Sequence, residues 1–168
     1  MSPELHINLA NLKSNIKFFQ RIIKTNTELS AVVKSDAYGL GIAKIVPEIE
    51  RYGVRSFFTA TISEAIKVRS YSRDSEIFTL NGFDFLKSNL YREHNITPII
   101  NNILEAQKFI EIFNQTQKVA IQLNTGMNRL GLDKQSLLEN IDIIKSLPLN
   151  LILSHLACAD ETSNKENT

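Results

Sequence analysis

Short apolar runs recur along the chain with longer mixed segments between them. Six stand out: residues 29–34 (Leu-Ser-Ala-Val-Val-Lys), 56–60 (Ser-Phe-Phe-Thr-Ala), 76–80 (Glu-Ile-Phe-Thr-Leu), 97–100 (Thr-Pro-Ile-Ile), 118–123 (Lys-Val-Ala-Ile-Gln-Leu) and 149–153 (Leu-Asn-Leu-Ile-Leu). Several are almost continuously apolar and β-branched, which predicts strands buried on both faces. Between the runs the apolar spacing becomes helical. Residues 11–24 carry Leu12, Ile16, Phe19 and Ile23; residues 102–113 carry Ile103, Ala106, Ile110 and Phe113; residues 136–146 carry Leu137, Leu138, Ile141 and Ile144. Each set makes one apolar stripe. Residues 63–69 form a shorter helical stretch, and Pro47 is expected in the first turn of a helix running to about Tyr52, with Gly53 as its stop. Residues 161–168 are all polar and read as loop.

Strand and helix therefore alternate, and alternation implies parallel strands joined by right-handed crossovers. At this level an open doubly wound sheet and a barrel both remain. Composition removes other classes. The 168 residues are 43% apolar and 22% charged, as in an ordinary globular chain, and the net charge of +1 gives no electrostatic case for nucleic acid or an anionic membrane. The lone cysteine, Cys158, rules out an intrachain disulfide and argues against a metal centre built on cysteines. No run approaches the ~18 apolar residues of a membrane span. The start, Met-Ser-Pro-Glu-Leu-His-Ile-Asn, has neither the basic stretch nor the apolar core of a secretory signal, so a cytoplasmic location is expected.

Chemically able residues fall just after three of the runs. Lys34 ends the first and is followed by Ser35-Asp36-Ala37-Tyr38-Gly39-Leu40-Gly41; Arg129 follows the fifth; His155 follows the sixth. Parallel α/β folds place their sites at such carboxyl ends. Each residue also has an ordinary structural explanation: a solvated lysine, a surface ion-pair arginine, a hydrogen-bonded core histidine. The setting distinguishes Lys34. An amine held against Ala31, Val32 and Val33 loses its proton more easily, as an imine-forming lysine must. Gly39 and Gly41 allow the backbone to approach an anion. They do not make a dinucleotide fingerprint, because Gly39-Leu40-Gly41-Ile42-Ala43-Lys44 lacks the third glycine, and there is no Walker motif.

The residues around these three positions resemble the alanine racemase family. Ala31-Val32-Val33-Lys34-Ser35-Asp36-Ala37-Tyr38-Gly39 is similar to its cofactor-lysine motif. Leu123-Asn124-Thr125-Gly126-Met127-Asn128-Arg129-Leu130-Gly131 looks like its aspartate-threonine-glycine-methionine-x-arginine-leucine-glycine segment. Ser154-His155-Leu156-Ala157-Cys158-Ala159-Asp160-Glu161 resembles the segment after its sixth barrel strand. Weaker matches are Phe58-Thr59-Ala60-Thr61-Ile62-Ser63-Glu64-Ala65 and Ile77-Phe78-Thr79-Leu80-Asn81-Gly82, so the resemblance runs from Ile7 onward.

The resemblance implies a (β/α)8 barrel of TIM type and pyridoxal 5'-phosphate chemistry that interconverts L-alanine and D-alanine, supplying D-alanine for peptidoglycan. Lys34 would carry the cofactor as an internal aldimine and act as acid/base on one face of the substrate. Tyr38 would help hold the phosphate. Arg129 would hydrogen-bond the cofactor's ring oxygen and lie near the substrate carboxylate. His155 would sit beneath the ring. No metal is implied. A TIM barrel takes about 250 residues, so the chain is expected to be the N-terminal portion of the barrel: an incomplete barrel of about six β/α units without the family's C-terminal β domain. The family's second catalytic base, a tyrosine supplied across a homodimer interface, belongs to that remainder. The chain alone is accordingly expected to be an incomplete enzyme. A non-catalytic remnant binding the cofactor weakly and a broader-substrate racemase are the alternatives.

Two positions depart from the family pattern. Gln122 stands where some members carry a carbamylated lysine that orients the arginine; a neutral amide there could still hydrogen-bond Arg129, so altered positioning of the arginine rather than its loss is expected. Asn124 replaces the usual aspartate and removes a negative charge from the same loop.

Overall fold

The computed structural model describes residues 4–161 and 163–165. Six strands form: β1 (Ala31–Val32), β2 (Ser56–Thr59), β3 (Glu76–Thr79), β4 (Thr97–Ile100), β5 (Val119–Leu123) and β6 (Leu149–Ser154). All six predicted runs are strands, each within a few residues of its expected bounds. Strand order follows chain order, β1-β2-β3-β4-β5-β6. This is the incomplete (β/α) barrel with six strands that the family pattern implied. The chain divides after Phe78 into two compact units.

In the first unit β1 pairs parallel to β2, with Ala31 opposite Phe57 and Val32 opposite Phe58. Helix α1 (Leu9–Ile22) starts at Asn8, whose Oδ1 accepts hydrogen bonds from Ala10 N (3.0 Å) and Asn11 N (3.1 Å). Those bonds satisfy two of the orphan amides of a helix start. Helix α2 (Lys34–Tyr38) follows β1 directly. Helix α3 (Ile42–Arg51) corrects one expectation, for it begins five residues before Pro47 and holds the proline in its interior. Its stripe of Ile42, Ile45, Val46 and Ile49 is buried. Each such side chain contributes roughly 1.5–3 kcal/mol, which together outweighs the ~3 kcal/mol of an internal proline. Gly53, at φ 87°, marks the stop as predicted. Helix α4 (Ile62–Arg69) is capped by the Thr61 hydroxyl, which accepts from Glu64 N at 3.3 Å.

In the second unit β4 pairs parallel to β5, and β5 to β6. A 3-10 turn (Phe85–Lys87) leads into α5 (Ser88–Glu93), a helix without a clear signal in the apolar spacing. Helix α6 (Ile103–Phe113) is capped by Asn102. Residues 136–146 do not form one helix. They contribute to α7 (Lys134–Glu139) and α8 (Ile141–Lys145), separated by Asn140, whose φ of −122° is not helical. Its side chain donates to Ser136 O at 3.0 Å, the local competition with helix expected of asparagine. The core includes Phe83, Tyr91, Phe109 and Phe113, whose rings pack with centroids 4.9–5.6 Å apart.

Burial differs between strands. β4 is buried at every position and β5 at all but Leu123, whereas β6 alternates half-buried and exposed positions. Val32 on β1 and Ile152 on β6 are 46% and 59% exposed.

Candidate functional site

Lys34 stands where β1 gives way to α2. Val33 before it is buried, Lys34 itself is half-buried, and its amine has no hydrogen-bond or ion-pair partner among the described residues. The segment after it is unusual. Ser35, Asp36, Ala37 and Tyr38 all have φ between 53° and 56°, so α2 is a single turn of left-handed helix. For L-residues that hand costs roughly 1–2 kcal/mol per residue. Such a turn persists only when its surroundings over-determine it. Here Ala37 N donates to Val33 O (3.0 Å), Gly39 N to Ser35 O (2.9 Å) and Gly41 N to Asp36 O (2.8 Å). Ala37 is 3% exposed and acts as an anchor, while Tyr38, on the same turn as Lys34, is 62% exposed.

Side chains from α4 complete the turn. Glu64 Oε1 accepts from Ser35 N and Glu64 Oε2 from Ala60 N, each at 2.8 Å. Asp36 Oδ1 accepts from Lys67 Nζ (2.7 Å) and from Ile42 N (3.1 Å). The Lys67 bond, then the Ile42 amide, hold the Asp36 carboxyl below its ordinary range; the same contact raises Lys67. Sequence reading assigned no role to Glu64, Lys67 or Asp36. The Thr61-Ile62-Ser63-Glu64 spacing is nevertheless that of a capping box, so a carboxylate at the helix start was legible; its reach to Ser35 was not.

Arg129 and His155 lie in the second unit, and the fold brings them together. They line one small hollow with Gln122, Asn124, Thr125 and Met127. Residues 124–131 form a loop that returns to β5: Asn124 N donates to Leu132 O and Leu132 N to Gln122 O, each at 2.8 Å. Gly131 permits this closure. Its φ is 100°, and a Cβ there would meet Gln122 O at 2.9 Å. Asn124 organises the loop, its Oδ1 accepting from Gly126 N (3.2 Å) and Asn128 N (3.0 Å) and its amide donating to Asn128 Oδ1 (2.9 Å). The two accepted bonds are ones an aspartate could equally receive. The third is available only to the amide, so asparagine preserves the loop without the charge. Thr125 and Ser154 share a hydroxyl hydrogen bond of 2.5 Å, tying the loop to the strand that ends beside His155. The bond that a neutral amide at Gln122 could make to Arg129 does not form. Gln122 is buried on β5, whereas Arg129 is exposed at the loop tip and has no ion pair among the described residues.

A larger hollow of about 370 Å³ lies elsewhere, lined by Gln20, Lys24, Glu28, Gly53 and Arg55 among others. These residues come from segments preceding β1 and β2, at the ends of those strands away from Lys34. Parallel βα barrels do their chemistry at the other, carboxyl ends. Among the described residues no group of histidine, cysteine and acidic side chains could hold a metal ion, and no helix is long and apolar enough to cross a membrane.

Residues 7–168 match the family model described as alanine racemase, N-terminal domain. The alanine racemase of Rickettsia prowazekii is 35% identical over 170 residues, covering 97% of this chain and 42% of the relative; that of Rickettsia canadensis is 37% identical, covering 97% and 48%. A crystal structure of the Bartonella henselae alanine racemase with covalently bound pyridoxal phosphate superposes with a TM-score of 0.88 at 32% identity, over 96% of this chain and 48% of that one. The chain thus spans about half the length of the relatives it matches. Motifs, strand order and these likenesses agree: the chain belongs to the alanine racemase family, in its N-terminal domain.

Proposed function

We propose that residues 1–168 are the N-terminal part of the pyridoxal-phosphate-binding barrel of an alanine racemase. The whole enzyme would interconvert L-alanine and D-alanine in the cytoplasm, supply D-alanine for peptidoglycan and work as a homodimer. The observation that carries this reading is Lys34: a half-buried lysine with no competing partner among the described residues, at a strand's carboxyl end, beside a fixed left-handed turn.

The residues fit the cofactor. An amine for its aldehyde, a phenol for its phosphate, and a guanidinium and an imidazole for its ring are the side chains of Lys34, Tyr38, Arg129 and His155. When bound, the cofactor would draw electrons from the substrate Cα and acidify its proton. Lys34 Nζ would hold the cofactor and then carry that proton on one face of Cα. Tyr38, exposed at the far end of the turn, would donate its hydroxyl to the phosphate. Arg129 would hold the ring oxygen and the substrate carboxylate with its planar fork. The base for the opposite face is assigned to no residue of this chain.

The test is covalent. Incubated with pyridoxal phosphate, reduced with borohydride and digested, the protein should show the pyridoxyl mass on Lys34, and Lys34→Ala should abolish it. A label on Lys44 or Lys118 in place of Lys34 would overturn the reading. Arg129→Lys should retain the label but lose most turnover in the complete enzyme; unchanged turnover would return Arg129 to a surface role.

A further inference from the structure

We propose that Glu64 and Lys67 of α4 are positioning residues for Lys34, clasping the left-handed turn that follows it. The proposal rests on the reading that Lys34 carries the cofactor.

The argument begins with direction. A lysine that must meet an aldehyde needs its backbone held, because its four-carbon stem adds freedom at every bond. Lys34 is held from behind by β1 and Val33. On its other side lies a turn of intrinsically unfavourable hand, and most of its internal bonds come from its own backbone. Those bonds close the turn without fixing where it points. The contacts that do so come from one face of α4. Glu64 grips Ser35 N, the amide next to Lys34, and with its other oxygen grips Ala60 N, the residue that follows β2. One carboxylate therefore ties the start of the turn to the end of the neighbouring strand, and β2 itself is paired with β1. Lys67 lies one helical turn further along α4 and holds Asp36. Asp36 in turn accepts from Ile42 N, the first residue of α3.

The second unit supplies an internal comparison. Asn102 and Glu105 repeat the box at the start of α6, where Glu105 accepts from Asn101 N and Phe83 N. No lysine and no left-handed turn are attached there. Bracing a strand-to-helix junction needs only the carboxylate. The addition of Lys67 on Asp36 occurs where a reactive side chain must be aimed.

Site-selective labelling tests this, with amide hydrogen exchange as a cofactor-free readout. Glu64→Ala should speed exchange across residues 35–41 and lower the Lys34 label at fixed pyridoxal phosphate by about tenfold or more, the scale expected of a misdirected group, while labels on Lys44 and Lys118 stay constant. Lys67→Ala should act in the same direction, and Lys67→Arg, which keeps the charge and can reach Asp36, should restore labelling. Because Lys67 is exposed, its variants keep the test available if Glu64→Ala does not fold. Thr61→Ala is the structural control, since it weakens the cap of α4 without freeing Ser35 N. Equal loss of Lys34 labelling in Thr61→Ala would reduce Glu64 to a helix-stability role and overturn the proposal. So would unchanged labelling or unchanged exchange in Glu64→Ala or Lys67→Ala. Absence of any Lys34 label in the unaltered protein would instead overturn the functional reading beneath it.

Discussion

Two strand-to-helix junctions in this chain use one device for different ends. At the start of α4, Glu64 binds two backbone amides, one of them at exposed Ser35; at the start of α6, Glu105 binds the amides of Asn101 and Phe83, both buried residues. Asn102 reinforces the second junction, donating to Glu105 Oε1 at 2.8 Å and accepting from Glu105 N at 3.0 Å. Around Glu105 lies an aromatic cluster, and burial raises its carboxyl above the ordinary range despite three donors that favour the charge. Around Glu64 lies a strained turn bearing Lys34 and the exposed Tyr38. The same carboxylate thus closes a core in one unit and holds an exposed edge in the other. What differs is the access of water to the amides it satisfies.

That difference sets the size of the expected effects. Glu105→Ala should be the most costly. It strands two buried amides at about 1–3 kcal/mol each, partly offset by relief of a desolvated carboxylate, so a net loss of about 2–4 kcal/mol is expected in urea unfolding. Glu64→Ala should cost less, about 1 kcal/mol, because Ser35 N can return to water. A cost equal to or above that of Glu105→Ala would break the contrast between a core brace and a site brace.

Gly82→Ala sharpens the same point. Gly82 has φ 95°, and a Cβ there would lie 2.5 Å from Glu105 Oε1. The backbone strain and the displaced carboxylate together should destabilise by about 1–3 kcal/mol. Exchange should rise at Phe83 and Asn101 and stay unchanged at residues 35–41. Loosening at both junctions would show that they are not independent.

The smallest effect is in pH dependence, and its sign differs between the junctions. Glu105 has a raised value, so the folded state holds its proton more tightly than the unfolded chain does. Its contribution is greatest below the ordinary 4.5 and declines as pH rises through the higher folded value. Asp36 is lowered, so its contribution is present above the ordinary 3.8 and is lost as pH falls through the lower folded value. In urea unfolding the Glu105 contribution should therefore be kept in mild acid and decline at higher pH, whereas that of Asp36 should be lost in stronger acid. Matching pH profiles at the two sites would contradict the assigned causes.

The sequence by itself determined the alternation of six strands with helices, the family, and the four residues proposed to serve the cofactor. Each depends on local pattern: continuous apolar runs, stripes at helical spacing, and short motifs in which Lys34, Tyr38, Arg129 and His155 are embedded. It placed Pro47 at the start of a helix because propensity disfavours an internal proline; tertiary burial of Ile42, Ile45, Val46 and Ile49 prevailed. It read residues 136–146 as one helix because the stripe continues through Asn140, where a side-chain bond to Ser136 accompanies the break. Only the tertiary structure decided the left-handed turn after Lys34. No residue from Ser35 to Tyr38 is a glycine, so nothing local announces positive φ; the turn stands because Glu64 and Lys67, 29 and 31 residues from their partners in sequence, reach back to hold it. Nor could the motif alone show that Asn124 organises its loop while Gln122 makes no bond to Arg129. Motifs specify which groups are present, but a turn of the unfavourable hand is held by contacts between distant segments, and those contacts exist only once the strands and helices have packed.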